Sequence, residues 1–578
     1  MTSRNRKTGG ELVAETLQAA GVDTVFALHG GHLEGLFKAC ADHGIRLVDF
    51  RHEAAAGHAA DAYARTTGKL GVCIVTAGPG LTNAVSAIAN AKLDGSSVLF
   101  IVGAPPLREM ETNPLQGGID QIALCRPISK WAVSVPSTER LGDLTAMAIR
   151  KARSAPKGPV VLELPIDVLH MSVDSDKATP PVGVNIVAKS APASEDIRAV
   201  AALVAEAKQP VIIAGMEAAN REAARAIRQL ADASGLPVFC KNQARGVLPH
   251  DHPSNCGAAG TLAALAVTGG PVPDLVILLG GRLGLLLGGR SAAMIPNAAK
   301  LVQVYSDPSE IGRIRDVDVA VAADTEITAS MLAEAFRGTP ARDFSTFLNA
   351  AKQVGAAFGA MFPDEGNEEK GIHPYFAAKT ACEVAGTSAI FVLDGGEAAS
   401  WAGDCARVDG AQQVIGHGYL GCLGIGPGFA IGAQIAHPDR RVIQMTGDGA
   451  MGFHIQEFDT MMRHGLPIVT VVMNNRIWGM SIHGQQMMYG ANYNVITLLG
   501  DTGYANVAAA FGAHAERVVR PEDVGPAMKR ALDSNKPALV EIMTDPDVVH
   551  PITVSMLGKV KEGSQDIMIP YYENIAGE

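Results

Sequence analysis

Nowhere does the chain approach the ~18 consecutive apolar residues that a membrane-spanning helix needs. Charge is also scarce, at 19% against 47% hydrophobic residues, which excludes a disordered, solvated polypeptide and points to well-buried globular domains. The charge present is predominantly acidic, with a net value of −11, so neither nucleic acid nor an anionic membrane surface is expected as a partner. The eight cysteines stand singly and never in CxxC spacing, which argues against a zinc site or a disulfide framework and suits a reducing compartment. Residues 1–7 are polar and no apolar leader follows them, so the expected location is the cytoplasm. At 578 residues the chain is too long for one core, and about 150 residues per domain predicts three or four.

Apolar, β-branched runs alternate with helical periodicity, which predicts an α/β fold of doubly wound parallel sheets. Three such units are expected, over residues 1–180, 193–340 and 370–548, followed by a tail over 549–578. Residues 171–192 are polar and patternless and read as a linker, as does the stretch from 340 to 371.

The most informative stretch lies in the third unit. A short strand over residues 441–445 runs into Gly447-Asp448-Gly449, where the glycines allow a sharp turn and close approach of a ligand. A helical pattern follows through Phe453, Glu457 and Met461 and stops at His464-Gly465. An apolar strand over 466–473 then delivers Asn474-Asn475, with 24 residues between Gly449 and this pair. Strand, helix and strand of these lengths form a right-handed βαβ unit, which brings Asp448 and Asn475 to the carboxyl edge of a parallel sheet. A carboxylate and an amide oxygen are hard donors that suit Mg²⁺ when diphosphate oxygens and water complete the octahedron.

In the first unit, a strand over residues 24–28 ends in His29-Gly30-Gly31-His32. Another over 46–50 runs into Arg51-His52-Glu53, which opens an alanine-rich helix. Taken alone, Glu53 is a carboxylate placed favourably in a helix's first turn. A buried strand over 70–76 is followed by the turn 77–80 and by Leu81-Thr82-Asn83, the start of the next helix.

With Gly447-Asp448-Gly449 and Asn474-Asn475 in their βαβ setting, and with Arg51-His52-Glu53, the chain resembles the thiamine diphosphate (ThDP) enzymes: acetolactate synthases, decarboxylases and carboligases. The resemblance implies a pyrimidine-binding first domain, a middle domain and a diphosphate-binding third domain, with ThDP and Mg²⁺ as cofactors. It also implies Asp448, Asn475 and Ile477 as metal ligands. Cofactor contacts are implied at Glu53, Gly78, Asn83, Gly395, Gly396, His417, Leu423, Gly447, Gly449, Ala450, Trp478, Gly479 and Met480. Glu53 would face the aminopyrimidine and favour the tautomer whose 4′ nitrogen takes the thiazolium C2 proton. Some members hold a flavin or ADP in the middle domain, but the loop Gly280-Gly281-Arg282-Leu283-Gly284 lacks a GxGxxG pattern, so neither FAD nor ADP is expected.

Within the family, residues 8–13, 28–32, 51–60, 115–121, 130–132, 417–421 and 447–475 resemble the benzaldehyde lyases. That likeness implies a catalytic pairing of Gln116 with His32, with His29 as a second candidate, suited to moving a hydroxyl proton in acyloin chemistry. Met480 stands where those lyases carry a small residue, which predicts a narrower cavity. The expected activity is a ThDP- and Mg²⁺-dependent carbon–carbon lyase or carboligase acting on aldehydes and α-hydroxy ketones. The alternatives are a 2-hydroxyacyl-CoA lyase or oxalyl-CoA decarboxylase, a resemblance that implies the tail over 549–578 as an active-site cover whose Lys559 and Lys561 would meet a CoA phosphate, an acetolactate synthase or 2-oxo acid decarboxylase, and a non-catalytic ThDP-binding regulator. The family also implies a homodimer with shared active sites, paired again into a homotetramer.

Overall fold

The computed structural model describes residues 6–110, 112, 115–338, 342–362, 370–556, 559–560 and 567–568, with the side chains from Met556 onward not described. Three six-stranded parallel sheets form the body of the molecule. The first contains β1 (Thr24–Ala27), β2 (Arg46–Asp49), β3 (Gly71–Val75), β4 (Val98–Ala104), β5 (Trp131–Ser134) and β6 (Val160–Pro165), in the order β2-β1-β3-β4-β6-β5. The second contains β7 (Pro210–Ala214), β8 (Val238–Cys240), β9 (Asn255–Ala258), β10 (Leu275–Leu279), β11 (Lys300–Val304) and β12 (Val319–Val321), in the order β9-β8-β7-β10-β11-β12. The third contains β13 (Ile390–Leu393), β14 (Val414–Gly416), β15 (Val442–Gly447), β16 (Val469–Asn474), β17 (His514–Val518) and β18 (Ala538–Met543), in the order β14-β13-β15-β16-β18-β17. The first and third sheets thus share one topology.

Central strands such as β4 and β16 are buried throughout, as expected of a parallel sheet covered by helices on both faces. Two segments read as linkers carry structure. Ser172–Asp174 pairs antiparallel with Arg6–Thr8, and Ser345–Ala360 is a helix whose Phe347 and Ala351 pack into the middle domain's core. The helix escaped the periodicity because only those two of its residues are buried.

Two helices join the first and third domains. The first is α1 (Glu53–Thr67) and the second is α2 (Gly426–Ala436); their contact is a seam of alanines against glycines. A Cβ at Gly428 would stand 2.5 Å from the Ala55 carbonyl oxygen, and one at Gly432 would stand 2.2 Å from that of Ala59. Beside the seam, the buried Arg65 guanidinium pairs with Asp61 at 2.7 Å and Asp94 at 2.9 Å. These acids lie in the first domain, and Asp94 also accepts from Tyr419 N in the third at 3.1 Å.

The middle domain's strand order is that of dinucleotide-binding folds, whose ligands lie at the switch point between the two central strands. Here the backbones of Gly215 and Gly281 meet at that point: a Cβ at Gly215 would lie 2.3 Å from Gly281 Cα. The Glu217 carboxylate is partly buried beside it, accepting hydrogen bonds from Ser306 and Thr325, and desolvation raises its pKa. Lys559 is placed as backbone only, and Lys561 lies outside the described residues.

Candidate active site

The carboxyl edge of the third sheet surrounds a cavity of about 290 Å³. Its wall contains Gly395, Gly396, Leu423, Gly447, Asp448, Gly449, Ala450, Asn475, Ile477, Trp478, Gly479 and Met480, which covers the expected diphosphate-side contacts except His417. β15 and β16 are adjacent and parallel, so their tips hold Asp448 and Asn475 on one edge, as the βαβ reading requires. Gly449 is needed for packing: a Cβ there would lie 2.5 Å from the Trp478 ring. His417 stands behind the wall, where its Nε2–H donates to the Gly395 carbonyl at 3.0 Å. The buried Asp394 carboxylate accepts from the backbone N–H groups of Gly395, Gly424 and Gly426, tying the strand tip to the loop that carries Leu423. From the middle domain, Lys241 and Arg282 hold Tyr419 of the same loop. Lys241 Nζ and the Arg282 guanidinium lie 4.1 and 4.2 Å from its ring centroid.

The donor set fits a hard divalent cation. Asp448 Oδ1 accepts from Gly449 N at 2.9 Å, whereas Oδ2 is buried with no hydrogen-bond partner. Burial pushes this carboxyl up to about 6, a cost that a bound cation removes by stabilising the ionised form. The side-chain oxygen of Asn475 is turned back to the N–H of Ile477 at 3.3 Å. Asp448, Asn475 and the Ile477 carbonyl are the residues that would hold Mg²⁺, although the described residues contain no cluster of three His, Cys, Asp or Glu side chains of the kind that holds a metal unaided.

The remaining expected residues assemble elsewhere, on the first sheet. Glu53 is the first residue of α1 and is buried; its Oε2 accepts from Asn83 Nδ2 at 3.0 Å. The residues before it are pinned by the third domain, since Arg51 N donates to the Glu457 carboxylate at 3.2 Å. Around the tip of β3, His32 Nδ1 lies 3.3 Å from Thr76 Oγ1. Gly78, with φ of 65°, packs beneath Gln116: a Cβ there would stand 3.1 Å from Gln116 Cα. Gln116 itself adopts φ of 55°, a backbone conformation rare outside glycine. Gln121 fixes the arrangement by accepting from Gly78 N at 2.8 Å and donating to Glu163 at 2.7 Å. His29 is turned away, exposed, paired with Glu34 at 2.9 Å and stacked on Phe37.

The expected residues therefore fall into two groups on different sheets. The cavity at Asp448 is lined by residues between 374 and 548, and Glu53, Gly78, Asn83, His32 and Gln116 are not among them. The sequence reading missed Glu397, a buried carboxylate in the cavity wall. Its signal was a lone acid opening a helix directly after Gly395-Gly396, which also describes an ordinary first-turn carboxylate.

Three family models match the chain: the N-terminal TPP binding domain of thiamine pyrophosphate enzymes over residues 7–124, their central domain over 197–332 and their C-terminal TPP binding domain over 394–542. A "Probable acetolactate synthase" of Mycobacterium bovis is 32% identical over 544 residues, covering 94% of this chain and 96% of that protein. A "Probable acetolactate synthase large subunit" of Methanocaldococcus jannaschii is 29% identical, covering 94% of this chain and 93% of that protein. A "2-hydroxyacyl-CoA lyase 2" of Bos taurus is 32% identical, covering 87% of this chain and 84% of that protein. Sheet topology, the Asp448 and Asn475 edge, the buried Glu53 and these matches agree, and the chain belongs to the thiamine pyrophosphate enzymes, with thiamine diphosphate and Mg²⁺ as cofactors.

Proposed function

We propose that this enzyme is a carbon–carbon lyase and carboligase that cleaves and forms α-hydroxy ketones from aldehydes. The observation that carries the reading is the placement of His32 and Gln116 on one strand tip, around Thr76 and Gly78. Bound ThDP supplies the electron sink for breaking the carbon–carbon bond. Cleaving an acyloin also requires a group that accepts the hydroxyl proton, and His32 supplies it. Burial lowers the pKa of its imidazole, so the ring is neutral and able to accept a proton at neutral pH. Its Nδ1 faces Thr76, which leaves Nε2 for the substrate side. Gln116 offers an amide that can follow the hydroxyl through either protonation state. Glu53 would hold a proton at the aminopyrimidine, and Asp448 and Asn475 would hold Mg²⁺ and with it the diphosphate.

Because Glu53 and Asp448 occupy separate half-sites, the proposed working unit is a homodimer in which each site takes Glu53 from one chain and Asp448 from the other. Apolar side chains flank both halves: Leu115 and Ile119 bracket Gln116, and Leu420 and Phe453 lie beside the cavity loops, all 39–72% exposed. A second copy of the chain is the surface that would cover them.

A second reading, decarboxylation of a 2-oxo acid, is supported by the acetolactate synthase names of the relatives. Loss of carbon dioxide needs no proton acceptor, and such a site gains instead from an apolar wall against the substrate carboxylate. The deciding experiment offers the holoenzyme benzoin, acetoin, pyruvate and a 2-hydroxyacyl-CoA side by side, with products identified by mass. His32→Ala is expected to slow acyloin cleavage by about 10²–10⁴-fold with ThDP binding intact. The acid limb of the wild-type cleavage rate should lie below the ordinary imidazole range of about 6.5, because the base form of a lowered His32 persists to lower pH. Parent-rate cleavage by His32→Ala, together with rapid release of carbon dioxide from pyruvate by the wild type, rejects the lyase reading.

A further inference from the structure

The cavity wall contains a buried carboxylate that neither the metal nor the proton chemistry above uses. Glu397 opens the helix Glu397–Cys405, and its side chain gathers partners from two other elements. His483, on the helix Gly479–Tyr489, places Nδ1 3.0 Å from both carboxylate oxygens. Its Nε2 meets the Pro546 carbonyl at 2.8 Å. An imidazole facing an acceptor at each nitrogen satisfies both only as the doubly protonated ring, so Glu397 and His483 form a buried ion pair. Burial alone would lower the His483 pKa, but the hydrogen bond and charge of Glu397 outweigh it and the net shift is upward.

The other partners come from the chain's C-terminal segment. Thr553 Oγ1 donates to Glu397 Oε1 at 2.5 Å, and His550 N donates to the same oxygen at 3.3 Å. The His550 ring is itself seated, 4.2 Å from the Trp401 ring centroid and 3.0 Å from Asp404 Oδ2. On the other side, Glu397 Oε2 abuts the start of the Gly479 helix: a Cβ at Gly479 would stand 3.0 Å from that oxygen and 3.2 Å from Asn475 Nδ2.

We propose that Glu397 is a positioning residue that clamps the helix Pro551–Met556 against the diphosphate-side cavity, so that seating of this segment holds the cofactor in place. One carboxylate joins the wall helix, the helix that begins with Gly479 and Met480, and the helix Pro551–Met556. Undocking Thr553 therefore loosens the wall beside Asn475 as well as the segment. The inference rests on ThDP occupying this cavity and is independent of the lyase assignment.

The test compares Thr553→Val, which removes the hydroxyl while keeping its shape, with Thr553→Ser, which restores the hydroxyl. Each holoenzyme is diluted into ThDP-free buffer containing Mg²⁺, and ThDP release is followed by chromatography alongside limited proteolysis of the C-terminal segment. Loss of one hydrogen bond to a charged, buried acceptor is expected to speed ThDP release by about tenfold or more in Thr553→Val and to speed cleavage of the segment, with both returning towards wild type in Thr553→Ser. Release at the wild-type rate in Thr553→Val overturns the proposal whatever the proteolysis shows, as does accelerated release that Thr553→Ser fails to restore.

Discussion

Glu53 and Asp448 are both buried carboxylates at the start of a helix, yet their surroundings assign them different chemistry. Glu53 has a hydrogen-bond donor, Asn83, and is placed to hold a proton at a nitrogen. Asp448 keeps one buried oxygen without a hydrogen-bond partner, a cost that a bound cation would offset. Substitution should separate these roles. Glu53→Gln is expected to bind ThDP and Mg²⁺ but to exchange the cofactor's C2 proton about 10²–10⁴-fold more slowly, as followed by NMR. Asp448→Ala is expected to lose ThDP, as followed by calorimetry. Undiminished exchange in the first variant, or unchanged affinity in the second, removes that residue from its role. These two acids were legible in the sequence because each follows a strand within a short, glycine-marked or charged motif. Glu397 was not, because its partners His483, His550 and Thr553 lie 86 to 156 residues away and no local pattern announces them.

At the scale of elements, buried β-branched strands were visible as runs, whereas contacts between domains were not. Glu457 reads as part of a helical pattern, and its bond to Arg51 crosses 406 residues. The seam between α1 and α2 is similar: glycines and alanines spaced along two helices give no sign that the helices touch. The close approach predicts a contrast between two glycines. Gly432→Ala would press a methyl group to within 2.2 Å of the Ala59 carbonyl oxygen, and overpacking of this kind costs about 1–3 kcal/mol. Gly355, exposed on the helix Ser345–Ala360, has open space where a methyl group would stand, with nothing within 4 Å, so Gly355→Ala should stabilise by up to about 1 kcal/mol through helix propensity. Differential scanning calorimetry checks both, and an unchanged first transition in Gly432→Ala would show that the seam yields at no cost.

The whole molecule raises the question of how one chain presents two half-sites. If each complete site takes Glu53 from one chain and Asp448 from another, two dead proteins should rescue each other. Co-expressed Glu53→Gln and Asp448→Ala chains form mixed dimers in which one of the two sites contains both wild-type residues, so random pairing should restore about a quarter of the wild-type sites. Active-site titration of the unseparated mixture checks that fraction, and of the mixed dimers isolated by differing tags it should find about half of the sites intact. No recovery in the mixed dimer would place both residues of a site on a single chain.

The matching strand order of the first and third domains means that the chain is, in outline, the same module written twice. An asymmetric molecule such as ThDP can sit across two such modules only if their tips differ, and they do: one tip presents Glu53 and Asn83, the other Asp448 and Asn475. The sheets beneath share one topology and serve as scaffolding, so changes there would alter how firmly the tips are held, whereas changes at the tips would alter which end of the cofactor each module recognises.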